Sequence, residues 1–206
     1  MTLFFDLDGT ILDNRTRYHR VHLHCLGNAV PVLSEEKYWE LKRKKFPEPE
    51  ILARFYPKAD AAAYRKERER IIESPEFLAF DALLPNARET LLMLAKEHDL
   101  ILVTLRKNRD TALEEIDRFG LRTIFSDVRT SAAGADPVQT KAHEMRPNAK
   151  AGDWIIGDTE ADILAGQSLG LTTCGVLSGI RDEKLLSALH PTHLVASIAE
   201  LPSLLE

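Results

Sequence analysis

Short apolar runs alternate with amphipathic, helix-like segments over most of the chain after residue 83. The clearest run, residues 100–104, is typical of a strand that is buried on both faces. Similar runs lie at 154–157, 172–176 and 193–195, and another opens the sequence at 2–5. This alternation predicts right-handed βαβ units. The expected fold class is therefore α/β, with a Rossmann-like parallel sheet as a core flanked by helices.

Residues 14–79 follow a different pattern. They contain many charged residues, lack strand-like runs, and show helical spacing that predicts helices beginning near residues 15, 34 and 59. Pro47 and Pro49 are predicted to interrupt this pattern. The sequence thus predicts two domains: an α/β core made of residues 1–13 and 80–206, and an inserted all-helical cap at 14–79.

Charge divides along the same boundary. Residues 14–79 hold 14 Lys and Arg against 10 Asp and Glu, a net charge of +4, whereas the remainder holds 13 against 22, a net charge of −9. Much of this basic surface is expected to be ordinary solvated helix, but a basic lid over an acidic floor would favour an anionic substrate. Arg17 is the residue through which we expect the cap to influence substrate choice more than folding.

Composition limits the classes of partner and compartment. The overall net charge of −5 argues against a nucleic-acid-binding protein, which would usually be basic. No apolar run approaches the length of a membrane span, so no membrane partner is expected. Two cysteines are too few for a disulfide framework, and the expected location is the cytoplasm.

Polar residues stand where the predicted strands end. Asp6 and Asp8 directly follow the first run, Thr104 ends the second, and Asp158 follows the run at 154–157, with Lys141 on the helix before it. Ligands of open α/β sheets bind beyond the carboxyl ends of the strands. Two acids on one side of an extended backbone repel each other unless a cation or a proton lies between them. The pattern therefore predicts a divalent metal at this edge.

With these motifs in this order, the chain resembles the haloacid dehalogenase-like (HAD) hydrolase superfamily. It is most similar to the phosphatase branch with a helical cap, such as the phosphoglycolate phosphatases. The resemblance implies that Asp6 is the nucleophile and Asp8 the general acid and base. It also implies a Mg²⁺ cofactor held by Asp6, Asp158 and the backbone carbonyl of Asp8.

The resemblance further implies a set of phosphate contacts. Thr104 would hydrogen-bond the phosphoryl group, helped by backbone N–H groups near Leu105 and Arg106 at the start of the next helix. Gly9 would let the backbone turn tightly. Lys141 would neutralise the phosphate and Asp6.

The lysine assignment departs from the family pattern. Lys141 is flanked by Thr140 and Ala142 instead of the common Gly-Lys-Pro, so Lys107 and Lys150 are its competitors. Asp162, one turn after Asp158, would orient Lys141 or a metal-bound water from the second layer of the site.

The expected function is that of a Mg²⁺-dependent phosphomonoester hydrolase, which acts on a small anionic phosphometabolite through an aspartyl-phosphate. Asp8 favours phosphoryl transfer over dehalogenation, because the dehalogenases that resemble this fold lack an acid at that position. A phosphomutase of the β-phosphoglucomutase type is the alternative, since it uses both aspartates. A non-catalytic regulatory protein on the same fold is the third interpretation.

Overall fold

The computed structural model describes residues 1–27, 33–132, 134 and 136–205, and the chain forms two compact units. One unit combines Met1–Asp13 with Leu83–Glu206, and the other is Asn14–Ala82. The sequence placed the second boundary after residue 79, three residues earlier. A helical segment is therefore inserted into an α/β unit, whereas its role as a cap stays a prediction.

A six-stranded parallel sheet forms the centre of the α/β unit, and it confirms the predicted fold class. Its strand order is β5-β4-β1-β6-β7-β8, and β2 and β3 form a separate two-stranded sheet. The strands are β1 (Thr2–Phe5), β2 (Leu12–Asp13), β3 (Ala82–Leu83), β4 (Asp99–Thr104), β5 (Asp127–Thr130), β6 (Trp154–Gly157), β7 (Thr172–Val176) and β8 (His193–Val195).

The helical unit contains five helices among its described residues. They are α1 (Arg15–Leu26), α2 (Glu35–Arg43), α3 (Glu48–Phe55), α4 (Ala61–Ile71) and α5 (Pro75–Leu78). Helix α3 was not predicted, because Pro47 and Pro49 were interpreted as breakers. Pro49 instead lies in the first turn of α3, where the missing N–H group has no helical acceptor to lose. Within the described residues, no helix is both long and apolar enough to cross a membrane.

Helices cover both faces of the main sheet. The α/β unit has α6 (Ala87–Leu94), α7 (Arg109–Arg118), α8 (Pro137–Met145), α9 (Glu160–Ser168), α10 (Glu183–Ser187) and α11 (Pro202–Leu205). Alternate residues of a strand point to opposite faces. Phe5 accordingly lies in one buried cluster with Leu91 of α6, whereas Phe4 lies in another with Met145 of α8 and Ala165 of α9. Burial on both faces explains why the strands are continuous apolar runs.

Arg17 is buried in the helical unit. Its side chain is 2% exposed, and its Nε lies 3.2 Å from Oδ1 of Asp81, whose side chain is 0% exposed. A buried ion pair is costly to break because the remaining partner keeps an uncompensated charge. The expectation that Arg17 acts on substrate choice more than on folding is therefore wrong for a side chain in this position.

Charge reversal at Arg17 should destabilise the fold. Arg17→Glu would place a second carboxylate beside Asp81 and should lower the free energy of unfolding by about 3–5 kcal/mol, measured by urea denaturation. Lys66→Glu, on an exposed position of α4, is the matched control and should change it by less than about 0.5 kcal/mol. Equal small effects of the two changes would show that the buried pair contributes nothing to stability.

Candidate active site

Three central strands bring acidic and hydroxyl side chains to one edge of the sheet. Asp6 follows β1, Thr104 ends β4, and Asp158 follows β6, and β1 pairs with both of the other strands. The N–H of Asp6 donates to the carbonyl of Ile156 at 2.9 Å and extends the β1–β6 pairing by one step. All three side chains are buried. The predicted convergence at the strand ends is present in the fold.

Lys141 on α8 lies between two carboxylates. Its Nζ donates to Oδ1 of Asp6 at 2.5 Å and also to Oδ1 of Asp162. Burial alone would lower the pKa of Lys141, but Asp162 and Asp6 raise it above its ordinary value, so the amine is charged. Lys107 and Lys150, the competing lysines, are exposed. The structure thus brings Lys141 to the acidic edge of the sheet.

Asp162 is held on both of its oxygens at the start of α9. Oδ1 accepts from Lys141, while Oδ2 accepts from the backbone N–H of Thr159 at 3.0 Å and from the Thr159 hydroxyl at 2.6 Å. A Cβ on Gly157 would lie 2.1 Å from the carboxyl carbon of Asp162, so the backbone approaches this side chain closely. Two roles were predicted for Asp162, and this geometry favours the one in which it orients Lys141.

Only one of the two carboxylate oxygens of Asp158 accepts a hydrogen bond within the described residues. Its Oδ2 accepts from the backbone N–H of Ile180 at 2.6 Å, whereas its buried Oδ1 has no hydrogen-bond partner among the described residues. Ser178 donates from its hydroxyl to the carbonyl of Gly9 at 2.8 Å. Sequence reasoning missed Ser178 and Ile180. They could have been found, because they closely follow β7, the strand beside β6.

The negative charge and the oxygen donors of these carboxylates both suit a bound cation. Oxygens of Asp6, Asp158 and Asp162 lie within 4.8 Å of one another, and Lys141 is a cation that contacts two of them. With all three carboxyl groups ionised, three carboxylates against one ammonium leave an excess of two negative charges, which a divalent cation would offset. Because Asp162 is already bonded on both oxygens, Asp6 and Asp158 are the carboxylates that fit Mg²⁺, a cation that prefers oxygen ligands.

The pKa values of two carboxyl groups reflect this crowding. Burial raises the pKa of Asp6, and Asp162 and Asp8 raise it further, while Lys141 lowers it. Burial also raises the pKa of Asp158, to which Asp6 and Asp162 add, against the Ile180 N–H and Lys141. A bound cation would favour the ionised form of both groups. The crowded carboxyl groups therefore favour the binding of a cation.

Arg106 contacts Asp8 with two parallel bonds. Its Nε donates to Oδ2 of Asp8 at 2.6 Å, and its terminal NH2 group donates to Oδ1 at 2.7 Å. The same NH2 group donates to Oε2 of Glu115 on α7 at 2.9 Å. The sequence predicted Arg106 only as a phosphate contact near Thr104. Its pairing with Asp8 and Glu115 was not predicted.

The start of α7 differs from the phosphate-binding helix terminus that the sequence suggested. The side-chain oxygen of Asn108 accepts from the backbone N–H groups of Asp110 and Thr111, at 3.0 and 3.3 Å. These donors are therefore engaged within the helix cap. The half-buried Leu105 and the buried Arg106 precede this cap, and their backbone N–H groups remain the predicted phosphate contacts.

Gly9 occupies a position that no other residue fits. Its φ is +80°, and a Cβ there would lie 2.3 Å from Oδ2 of Asp158. Gly152 has a similar φ of +90°, but a Cβ at that position would meet no atom of the described residues within 4 Å. Gly152→Ala is therefore a control for backbone strain alone, which should cost about 1–2 kcal/mol.

Gly9→Ala should cost more than this control, because the strain is joined by a collision with Asp158. We expect its free energy of unfolding, measured in urea, to fall at least about 1 kcal/mol below that of Gly152→Ala. Equal losses in the two variants would contradict the close packing of Gly9 on the Asp158 carboxylate.

Comparison with known proteins gives matches that cover most of the chain. A family model described as haloacid dehalogenase-like hydrolase matches residues 3–176. The pyrophosphatase PpaX of Oceanobacillus iheyensis is 24% identical over 97% of this chain and 94% of its own length.

Two solved structures share the fold. A haloacid dehalogenase-like family hydrolase from Streptococcus pneumoniae has a TM-score of 0.79 at 18% identity, covering 100% of this chain and 98% of that one. A predicted phosphoglycolate phosphatase from Haemophilus somnus has a TM-score of 0.78 at 19% identity, with 100% and 97% covered. At these identities the structural likeness establishes a common fold.

Proposed function

The chain belongs to the haloacid dehalogenase-like hydrolases and is a phosphatase-type enzyme of that family, and we propose that it hydrolyses phosphomonoesters of small anionic metabolites with Mg²⁺ as cofactor. The family membership confirms the resemblance predicted from the motifs. The observation that carries the proposal is the buried Asp6, paired with Lys141 at a strand end beside Asp158. The choice of a divalent cation is supported by the excess of two negative charges that the site carries when Asp6, Asp158 and Asp162 are all ionised.

Asp6 would act as the nucleophile of the first step. One of its carboxylate oxygens attacks phosphorus as the bond from phosphorus to the leaving oxygen breaks, which produces an aspartyl-phosphate. Asp8 gives its carboxyl proton to the leaving oxygen. Asp8 is suited to this work because its side chain is 24% exposed, whereas the neighbouring acids are buried.

Water completes the reaction in the second step. Asp8, now a carboxylate, takes one proton from water as the water oxygen bonds to phosphorus and the bond from phosphorus to Asp6 breaks. Inorganic phosphate leaves, and both aspartates return to their starting states. Lys141 and Thr104 would hold the phosphoryl oxygens through both steps.

Mg²⁺ would be held by the carboxylates of Asp6 and Asp158 and by the backbone carbonyl of Asp8. When bound, it supplies positive charge that offsets the charge of the phosphoryl group. A readout separate from activity is the melting temperature, which Mg²⁺ should raise in the native protein because a ligand of the folded state stabilises it. Asp158→Asn should remove most of that increase. An equal increase in the variant would contradict the assignment of Asp158.

A phosphate-release assay tests the proposed reaction. The panel should contain 4-nitrophenyl phosphate, sugar phosphates, phosphoglycolate and inorganic pyrophosphate, each with and without Mg²⁺. Pyrophosphate is included because the relative from Oceanobacillus iheyensis is named a pyrophosphatase. The net charge of +4 on residues 14–79 supports an anionic substrate. Absence of Mg²⁺-dependent turnover across the panel would contradict the proposal.

The same panel separates hydrolysis from the phosphomutase alternative. A hydrolase releases inorganic phosphate from a sugar phosphate, whereas a mutase returns the phosphoryl group to a sugar hydroxyl without net release. We expect phosphate release.

A further inference from the structure

A chain of alternating charges leads from the protein surface to Asp8. Arg106 contacts Asp8 through two N–H groups at 2.6 and 2.7 Å, and Glu115 accepts from Arg106 at 2.9 Å. Glu115 also accepts from the terminal NH2 group of Arg118 at 3.0 Å. Arg106 and Glu115 are almost fully buried, while Arg118 is 40% exposed. With Asp8 ionised, the four groups together are electrically neutral.

The geometry of this chain fixes the Asp8 carboxyl in space. A guanidinium that bonds both carboxylate oxygens sets the plane of the carboxyl group as well as its position. Arg106 is itself fixed, because Glu115 lies on α7 and the two arginines approach its different oxygens. Asp8 thus has a rigid support that reaches a helix packed in the core.

We propose that Arg106, anchored by Glu115, is a positioning residue that holds Asp8 for proton transfer to the leaving oxygen. This inference rests on the proposed function. Arg106 keeps its own protons in both chemical steps. Because its guanidinium favours the carboxylate form of Asp8, Asp8 takes up one proton from solvent before the first step and gives it to the leaving oxygen, and one proton returns to Asp8 from water in the second step. Two residues before Arg106 lies Thr104, the predicted phosphoryl contact, so one short segment would align both the phosphoryl group and the acid.

The competing role for Arg106 is direct binding of the substrate phosphate. The described contacts favour the positioning role, because the Nε and one terminal NH2 group point at Asp8 and Glu115. The two roles predict different dependence on the leaving group. A phosphate ligand serves every phosphoester equally, whereas an acid matters most when the leaving oxygen is strongly basic.

The test measures kcat/KM for a leaving-group series, because this quantity reports the step in which the leaving oxygen is protonated. The substrates are 4-nitrophenyl phosphate, phenyl phosphate and propyl phosphate. Arg106→Lys keeps the charge but loses the planar fork. We expect a loss of about 10- to 100-fold for propyl phosphate and of less than about 3-fold for 4-nitrophenyl phosphate. An equal loss for all three substrates would overturn the positioning role.

Glu115→Gln provides a second variant at a residue that is more remote from Asp8. It should show the same leaving-group dependence with a smaller loss, since it weakens the anchor and leaves Arg106 in place. The matched controls are Arg122→Lys and Glu114→Gln, both at exposed positions of the same unit, and they should resemble the native protein. A Glu115→Gln profile identical to that of Glu114→Gln would contradict the anchoring role.

A double-mutant cycle completes the design. If Arg106 acts through Asp8, Arg106→Lys should cause no further loss for propyl phosphate in an Asp8→Asn background. Additive losses, or a weaker competitive inhibition by inorganic phosphate in Arg106→Lys alone, would assign Arg106 to phosphate binding. Failure of the proposed function would give a different result, because the native protein would lack turnover or Asp6→Asn would retain it.

Discussion

Asp6→Asn should lower the rate of phosphate release by at least about 10⁴-fold, because an amide cannot form the aspartyl-phosphate. The fold should survive. Burial raises the pKa of Asp6 in the folded state. The ionised form of Asp6 therefore opposes folding once the pH exceeds the pKa of this group in the unfolded chain. Removal of that charge should not lower the free energy of unfolding at neutral pH. Lys141 would keep Asp162 as its partner.

The measurement combines kcat with urea denaturation at neutral pH. Asp117→Asn, which changes an exposed aspartate on α7, is the matched control and should retain native activity. Turnover by Asp6→Asn at a rate near that of Asp117→Asn would rule out Asp6 as the nucleophile. A large loss of stability in Asp6→Asn would contradict the direction of the Asp6 pKa shift.

Lys141→Gln should lower both activity and stability. It leaves the buried carboxylates of Asp6 and Asp162 without their shared cation, which should cost about 3–5 kcal/mol of the free energy of unfolding. The rate of phosphate release should fall at least about 100-fold, because a charged donor to the phosphoryl group is lost. Lys150→Gln, at an exposed position, should change neither quantity.

A second change separates the two effects of Lys141. Lys141→Gln combined with Asp162→Asn removes one of the two stranded carboxylates, so part of the lost stability should return while the activity stays low. Recovery of activity together with stability would mean that Lys141 acts only as a structural cation. Native stability in the single variant would contradict the paired arrangement of Lys141.

The acidic edge could be predicted because it depends on local sequence and on a general property of sheets. Asp6 and Asp158 each follow an apolar run, and runs that form neighbouring parallel strands end at the same edge. No knowledge of side-chain conformations was needed for this step. Lys141 was harder to assign, since three lysines were available and only the packing of α8 against the sheet brings this one to Asp6.

Side-chain partners across long sequence separations could not be predicted. Arg106 lies 98 residues from Asp8, and nothing in the local pattern of either residue specifies that pairing. Arg17 shows the same difficulty, because it was expected to influence substrate choice, whereas the fold buries it with Asp81. Burial of a charged residue depends on a partner that the helical period does not reveal.

Proline caused the main error in the helical unit. Pro49 was interpreted as a break between helices, but it lies at the start of α3, a position that proline favours. The same residue type can therefore mark either boundary of a helix, and local sequence alone does not distinguish them. At Ser34 and Asp60, side chains that accept from backbone N–H groups mark helix starts directly.

The central claim, covalent catalysis by Asp6, is tested most directly by trapping the phosphorylated enzyme. Asp8→Asn should still react with 4-nitrophenyl phosphate, whose leaving oxygen needs little protonation, but should hydrolyse the intermediate slowly because the base is missing. After acid quenching, mass spectrometry of the peptide that contains Asp6 should show one added phosphoryl group on Asp6. Release of 4-nitrophenol with Asp6 unmodified, or with the phosphoryl group on another residue, would contradict the account.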